Sequence, residues 1–295
     1  MLNYDSINEL VQAAKNENKK ISEIVLNDQA KEMDTPAEEI FSRMEKSFNV
    51  MCEAVKAGQD ENLKSMSGLT GGEGFKMKNY SESDNTLSGK FMSKAMSMAL
   101  AVAGYNASMG KIVATPTAGS CGIMPGCLVS LYDEKRADKK NIIMSMFTAG
   151  AFGIVIAKNA SIAGAQGGCQ AECGSASGMA AAALVELMGG SPEQCADACA
   201  ISIANQLGLV CDPVAGLVEI PCIKRNVSGV MIAFSSADMA LSGIKAYIPV
   251  DECITAMKNV GDALIPALKE TALGGLASTP TGKFLKQKVF GKDKE

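Results

Sequence analysis

Histidine is absent from all 295 residues. That single absence removes Ser-His and Cys-His nucleophile pairs, His-ligated zinc or haem, and imidazole acid–base chemistry from this chain. Tryptophan is absent too. Aromatics make up only 5% of the sequence, too few for the stacking platforms that hold single-stranded nucleic acid. Basic residues are not in excess. The net charge is −4, so no cationic face for a phosphate backbone is advertised and no nucleic-acid partner is expected. The opening MLNYDSINELVQ lacks the basic and apolar regions of a signal peptide, which leads to the expectation of a cytoplasmic chain with reduced thiols. The uncharged run between Asn141 and Lys158 falls short of the roughly 20 apolar residues of a spanning helix and contains Ser145, Thr148 and two glycines. It reads as a buried core helix, and no membrane is expected.

What the chain has in quantity is small and soft: 10 Cys, 18 Met, 29 Gly and long alanine runs, within 47% hydrophobic residues. This is enough apolar material for one large core. Thr35-Pro36-Ala37-Glu38 reads as a capping box with proline at the first helical position. Ile40, Met44, Phe48, Met51 and Val55 follow as one stripe of a long helix, and the first 60 residues read as a helical part of the same domain. Helical patterns recur near 87–109, 141–163, 174–188, 192–206 and 229–247, with another from Pro249. Runs of strict two-residue alternation are few. The expected fold class is therefore mostly α, a single domain of packed helices around a buried apolar helix, with Gly/Pro-rich loops between them.

Two of those loops stand out. Ser67-Gly68-Leu69-Thr70-Gly71-Gly72-Glu73-Gly74 carries too much glycine for a helix. It reads either as a flexible surface loop or as a backbone cradle for an anion such as a carboxylate. Thr115-Pro116-Thr117-Ala118-Gly119-Ser120-Cys121-Gly122 alternates small residues with hydroxyls. It has neither the lysine of a P-loop nor the spacing of a dinucleotide fingerprint.

Ten cysteines in a reducing compartment are either small buried hydrophobes or ligands of a metal or iron–sulfur site. Cys52, Cys195, Cys199 and Cys253 fall within helical patterns and read as packing, whereas Cys121 and Cys127 flank the Thr-Pro-Thr loop. Cys169, Cys173, Cys211 and Cys222 lie in glycine- or proline-marked breaks at helix ends. Free backbone N–H groups are expected there, and such groups lower a thiolate pKa. With 41 residues between Cys169 and Cys211 and 10 between Cys211 and Cys222, only the tertiary fold can bring these sulfurs together. On residues alone, three readings stay open: a dehydratase with a substrate-binding cluster, an iron–sulfur electron carrier or thiol sensor, and a helical subunit whose cysteines are packing.

The segments ATPTAGSCGIMPG (114–126), KNASIAGAQGGCQAECGSASGMAAAAL (158–184) and NQLGLVCDPVAGLVEIPCIKRN (205–226) resemble the α subunit of iron–sulfur-dependent L-serine dehydratase of the two-subunit type. The similarity runs over essentially the whole chain from about residue 40. The resemblance implies L-serine as substrate and elimination of water to give pyruvate and ammonia. It also implies a [4Fe–4S] cluster held by Cys169, Cys211 and Cys222, and no pyridoxal phosphate. Cys173 is an extra thiol where fused, single-chain relatives have none. The histidine motif of the family lies in a separate β subunit, so a hetero-oligomer is expected, or a homodimer. Ser67, Gly68, Thr70, Gly71, Thr115, Thr117, Gly119 and Ser120 fall in the family's substrate-contacting segments. Lys158 and Asn159, just before the first cysteine loop, are expected near the chemistry, against the plainer readings of an ion pair and a helix cap. L-cysteine desulfuration is the related enzymatic alternative.

Overall fold

The computed structural model describes residues 4–291, so the first three residues of the opening segment and the last four of the chain lie outside it. Thirteen α-helices and short 3-10 and π turns account for the ordered backbone, and the described residues contain no β-strand. The only ladder-like contact among them is one parallel bridge between Cys211 and Lys269.

The apolar runs anticipated from sequence become α5 (Gly89–Ala107), α6 (Ile123–Asp133), α7 (Lys139–Asn159), α9 (Ser175–Leu187), α10 (Pro192–Ala204) and α11 (Cys222–Leu241). The central one is α9, in which every residue from Ser175 to Glu186 is buried. α6, α7, α10 and α11 pack round it. Alanine buries little area of its own. Its smallness lets neighbouring backbones approach, and the larger side chains of α6 and α7 (Ile123, Leu128, Phe147, Phe152) are fully buried around it. Each such side chain contributes about 1.5–3 kcal/mol when fully buried. Glu186, buried at the end of α9, accepts hydrogen bonds from Ser22 N (3.1 Å) and Thr148 Oγ1 (2.7 Å), fastening α2 (Ile21–Glu32) and α7 to the centre. α7 is long and apolar enough to cross a membrane by length and composition, and 67% of its most apolar stretch is buried among the other helices.

α1 (Ile7–Glu17), α2 and the long α3 (Ala37–Gly58) form an outer layer. The stripe on α3 turns inward as its period requires, with Ile40, Phe48, Met51 and Val55 buried. Its start differs from expectation. Pro36 is the flanking cap residue rather than the first helical one, and Thr35 Oγ1 turns back to Met33 O at 2.9 Å. The helix therefore begins without a side-chain cap. At α10 the same kind of motif forms fully: Ser191 Oγ accepts from Gln194 N, and Gln194 Oε1 accepts from Ser191 N. The glycine-rich segment is a loop as expected only through Gly72; Glu73 and Gly74, expected in it, instead open a short helix, α4 (Glu73–Ser81), lying against α5. α12 (Val250–Ala263) and α13 (Pro280–Phe290) complete the order, with α8 (Gly164–Gly167) a single turn before the first cysteine loop.

Candidate active site

Three breaks between helices supply the site. The first runs from α8 through Cys169 into a π turn at Gln170–Gly174 that leads into α9. Gly168 just before Cys169 has φ +77°, and a Cβ there would stand 2.9 Å from Leu209 O, so only glycine turns the chain at this point. Gln170 locks the turn in place. Its side chain donates to Gly167 O and Met257 O and accepts from Gly208 N, while its own N–H reaches Leu209 O. The second break holds Cys211, whose N–H bonds Leu268 O (2.9 Å) and whose carbonyl accepts from Glu270 N (2.8 Å). The third places Cys222 at the start of α11.

Asn226 ties the third break to the Thr-Pro-Thr loop. Fully buried, it donates to Gly119 O (2.9 Å) and Cys222 O (3.0 Å) and accepts from Gly122 N (2.8 Å). Arg225 ties it to the second. Its guanidinium donates to Val210 O and to Asp212 Oδ1, both at 2.8 Å, and Asp212 Oδ2 in turn accepts from Leu276 N at 2.7 Å.

The fold thus brings the three loops to one region: Cys169 and Cys222 both bear on the charge of Cys211, and Cys169 bears on that of Cys222. Cys169 and Cys173 share a hydrogen bond with their sulfurs 3.4 Å apart. That bond, helped by Arg225, holds Cys169 below the ordinary thiol value against its burial, while Cys173 is driven well above it. Burial pushes Cys211 up, and pushes Cys222 up to about 12. The free N–H groups expected at Cys222 are largely spent: Ile223 N reaches Glu219 O, and Lys224 N and Arg225 N reach Pro221 O. Desolvation therefore outweighs the helix start at that thiol. Among the described residues no three Cys, Asp or Glu side chains stand together as ligands of a single metal ion. A cubane spreads its thiolates wider than a mononuclear ion does, and three soft sulfurs on separate loops beside an open wall suit it. That wall is Gly164, where a Cβ would stand 2.9 Å from both Cys211 Sγ and Glu172 Oε2.

Glu172 was not anticipated from sequence. Its carboxylate lies between Gly164 and Gly119; a Cβ at Gly119 would stand 3.3 Å from each oxygen, and the Thr117 hydroxyl is near enough to favour its charged form. Burial raises its pKa, the Thr117 hydroxyl opposes the rise, and Glu270 adds to it. Glu219 was missed as well. This buried carboxylate accepts from Ser67 Oγ and Thr70 Oγ1, both at 2.9 Å, and so fastens the glycine-rich loop three residues before Cys222.

The other anticipated residues divide. Gly68 makes a left-handed turn (φ +72°) in the fastened loop, and Gly71 lies against Leu63 O. Ser120 is buried and donates to Thr115 O, bracing its own loop. Thr115 lines a separate apolar cavity of about 180 Å³ with Met44, Met124 and Met179. Lys158 and Asn159 are not gathered with the thiols. Lys158 Nζ meets Tyr4 O (3.0 Å) and Asp5 Oδ1 (3.1 Å), and Asn159 Nδ2 donates to Asp5 O (2.8 Å). The two line a cavity of about 500 Å³ that none of Cys169, Cys211 and Cys222 lines. Their position at the end of α7 aims them at the N-terminal segment, which is the ion-pair reading.

A helical fold with thiols from three loops, one buried carboxylate and one half-buried one defines a class of thiol-rich sites rather than one protein. Comparison with known sequences narrows it. The family described as serine dehydratase alpha chain matches residues 16–277. A probable L-serine dehydratase alpha chain of Bacillus subtilis (strain 168) is 49% identical over 98% of this chain and 96% of its own length. The L-serine dehydratase alpha chain of Peptoniphilus asaccharolyticus is 46% identical over 91% of this chain and 92% of its own length. A longer relative, the Escherichia coli (strain K12) L-serine dehydratase TdcG, is 44% identical over 61% of this chain and 40% of its own length. The chain belongs to the serine dehydratase alpha chain family.

Proposed function

We propose that this chain is the cluster-bearing subunit of an L-serine ammonia-lyase and that a separate β subunit completes its site. The observation that supports the reading most directly is the convergence of Cys169, Cys211 and Cys222 beside Glu172, in a chain of this family. The three thiolates would hold a [4Fe–4S] cluster. Three protein ligands leave one iron free for Lewis-acid work, which polarises the bond to a leaving hydroxyl.

The protein's own groups do the rest. Glu172 takes the substrate α-ammonium. No ion pair to it is found among the described residues, and an arriving cation offsets the penalty that burial places on its charge. Thr117 orients that carboxylate, and Asn226 fixes the backbone at Gly119 on which the orientation depends. Backbone N–H groups of the 115–120 loop meet the substrate carboxylate. Ser67 and Thr70, anchored on Glu219, hold the glycine-rich loop over the site and limit water. Loss of the α-proton and the β-hydroxyl gives aminoacrylate, which tautomerises and hydrolyses to pyruvate and ammonia. The base for the α-proton comes from the β subunit, since this chain offers no imidazole.

The test is an anaerobic preparation assayed with and without β, with the spin-resonance spectrum of the reduced cluster recorded before and after L-serine. A serine-dependent change together with β-dependent turnover is expected. Full turnover by this chain alone would remove the β subunit from the mechanism, and absence of iron would remove the cluster.

A further inference from the structure

The reading above employs Cys169 and leaves Cys173 idle. Its sulfur is nevertheless in hydrogen-bond contact with that of Cys169, at 3.4 Å. The contact is built by the chain. The π turn Gln170–Gly174 brings the side chain four residues on back over the first, and Gln170 clamps the turn from three sides. Ser177 Oγ donates to Cys173 O at 2.6 Å and fixes the far end. Both sulfurs are buried, while Cys222 of the same group is half-buried and marks the side nearest solvent.

We propose that Cys169 and Cys173 are a built-in disulfide pair that closes under peroxide when the chain carries no iron. The steps balance with hydrogen peroxide as oxidant. One thiol attacks the peroxide and becomes a sulfenic acid, releasing one water; the second thiol displaces hydroxide from that sulfur, which leaves as the second water. Two thiols are oxidised to one disulfide and one peroxide is reduced. The sulfurs close from 3.4 Å to about 2.05 Å. A resolving thiol already in contact captures the sulfenic acid before further oxidation destroys it. The disulfide withdraws Cys169 from iron reversibly. That consequence rests on the reading of Cys169 as a cluster ligand; the disulfide itself does not.

The test uses the full chain, stripped of iron and treated with limiting hydrogen peroxide, followed by alkylation, intact mass and peptide mapping. A mass lower by two hydrogens is expected, located in the peptide that carries both residues and reversed by dithiothreitol. Cys173→Ala should instead leave Cys169 carrying added oxygen. The oxidised wild-type chain should take up less iron on anaerobic reconstitution until it is reduced. Free alkylation of both residues after peroxide, or a cross-link from either to another cysteine, would overturn the proposal. Equal iron uptake by oxidised and reduced chains would overturn the withdrawal of Cys169. A reduced wild-type chain that takes up no iron would instead sink the functional reading, and the mass shift still reports on the disulfide.

Discussion

Gly164→Ala separates the site from the fold. Position 164 opens α8 and its φ is not positive, so the backbone tolerates alanine, which is the better helix former by about 1 kcal/mol. The new methyl would stand 2.9 Å from Cys211 Sγ and from Glu172 Oε2. Ordinary contacts to carbon lie at about 3.5–4.0 Å, so one or both groups must retreat by roughly 0.6–1 Å. Glu172 is the freer of the two, but moving it changes its place beside the Thr117 hydroxyl. Cys211 is pinned through its backbone to Leu268 and Glu270. Overpacking of this kind costs about 1–3 kcal/mol. Set against ligand binding, that is roughly a 5- to 150-fold effect. The expected outcome is a melting temperature unchanged or lowered by a few degrees, with reduced iron per chain after anaerobic reconstitution, a raised KM for L-serine in the α–β complex, or both. A variant with normal iron content and normal KM would refute the claim that this wall bounds the site.

Glu172→Gln should raise KM for L-serine about 10- to 150-fold, the worth of a hydrogen bond to a charged group, without loss of melting temperature; a fall in kcat at constant KM would take Glu172 off the ammonium. Asn226→Ala strands the buried Gly122 N and takes a donor from two part-buried carbonyls, and should cost about 1–3 kcal/mol in denaturant unfolding; a loss under about 0.5 kcal/mol would deny it the tie described. Lys158→Ala removes a largely exposed ion pair worth about 0–1 kcal/mol and should leave kcat/KM intact; a tenfold loss of kcat would return it to the chemistry. Replacing Ser67 and Thr70 together with alanine leaves Glu219 Oε2 without its two hydroxyl donors, and protease nicking within 63–74 should quicken; an unchanged nicking rate would show that the loop is held by other means.

The helical order was legible because the periodicity is local. The α10 motif carries its cap in four consecutive residues, and the α3 stripe repeats through five positions. The start of α3 was misread because Thr35 found Met33 O before it found a helix N–H. The convergence of the thiols was legible only through resemblance, since no local signal spans 41 residues of intervening chain. Glu172 did leave a trace. It is the single charged residue between Lys158 and Glu186, and a lone carboxylate in a buried apolar stretch demands a partner. Asn226 and Arg225 close the last quoted motif, but their partners lie on loops that spacing cannot order. Lys158 carried the opposite lesson: charge beside a functional loop was satisfied by a segment more than 150 residues away in sequence.

The braces on Cys211 come from the far end of the chain. Leu268 and Glu270 hold its backbone and Leu276 holds the carboxylate of Asp212, and all three are synthesised after the helices that surround α9. During translation the helical core can therefore assemble while the cysteine loop is still slack. A ribosome stalled before residue 268 would leave that loop without the bonds from Leu268, Glu270 and Leu276.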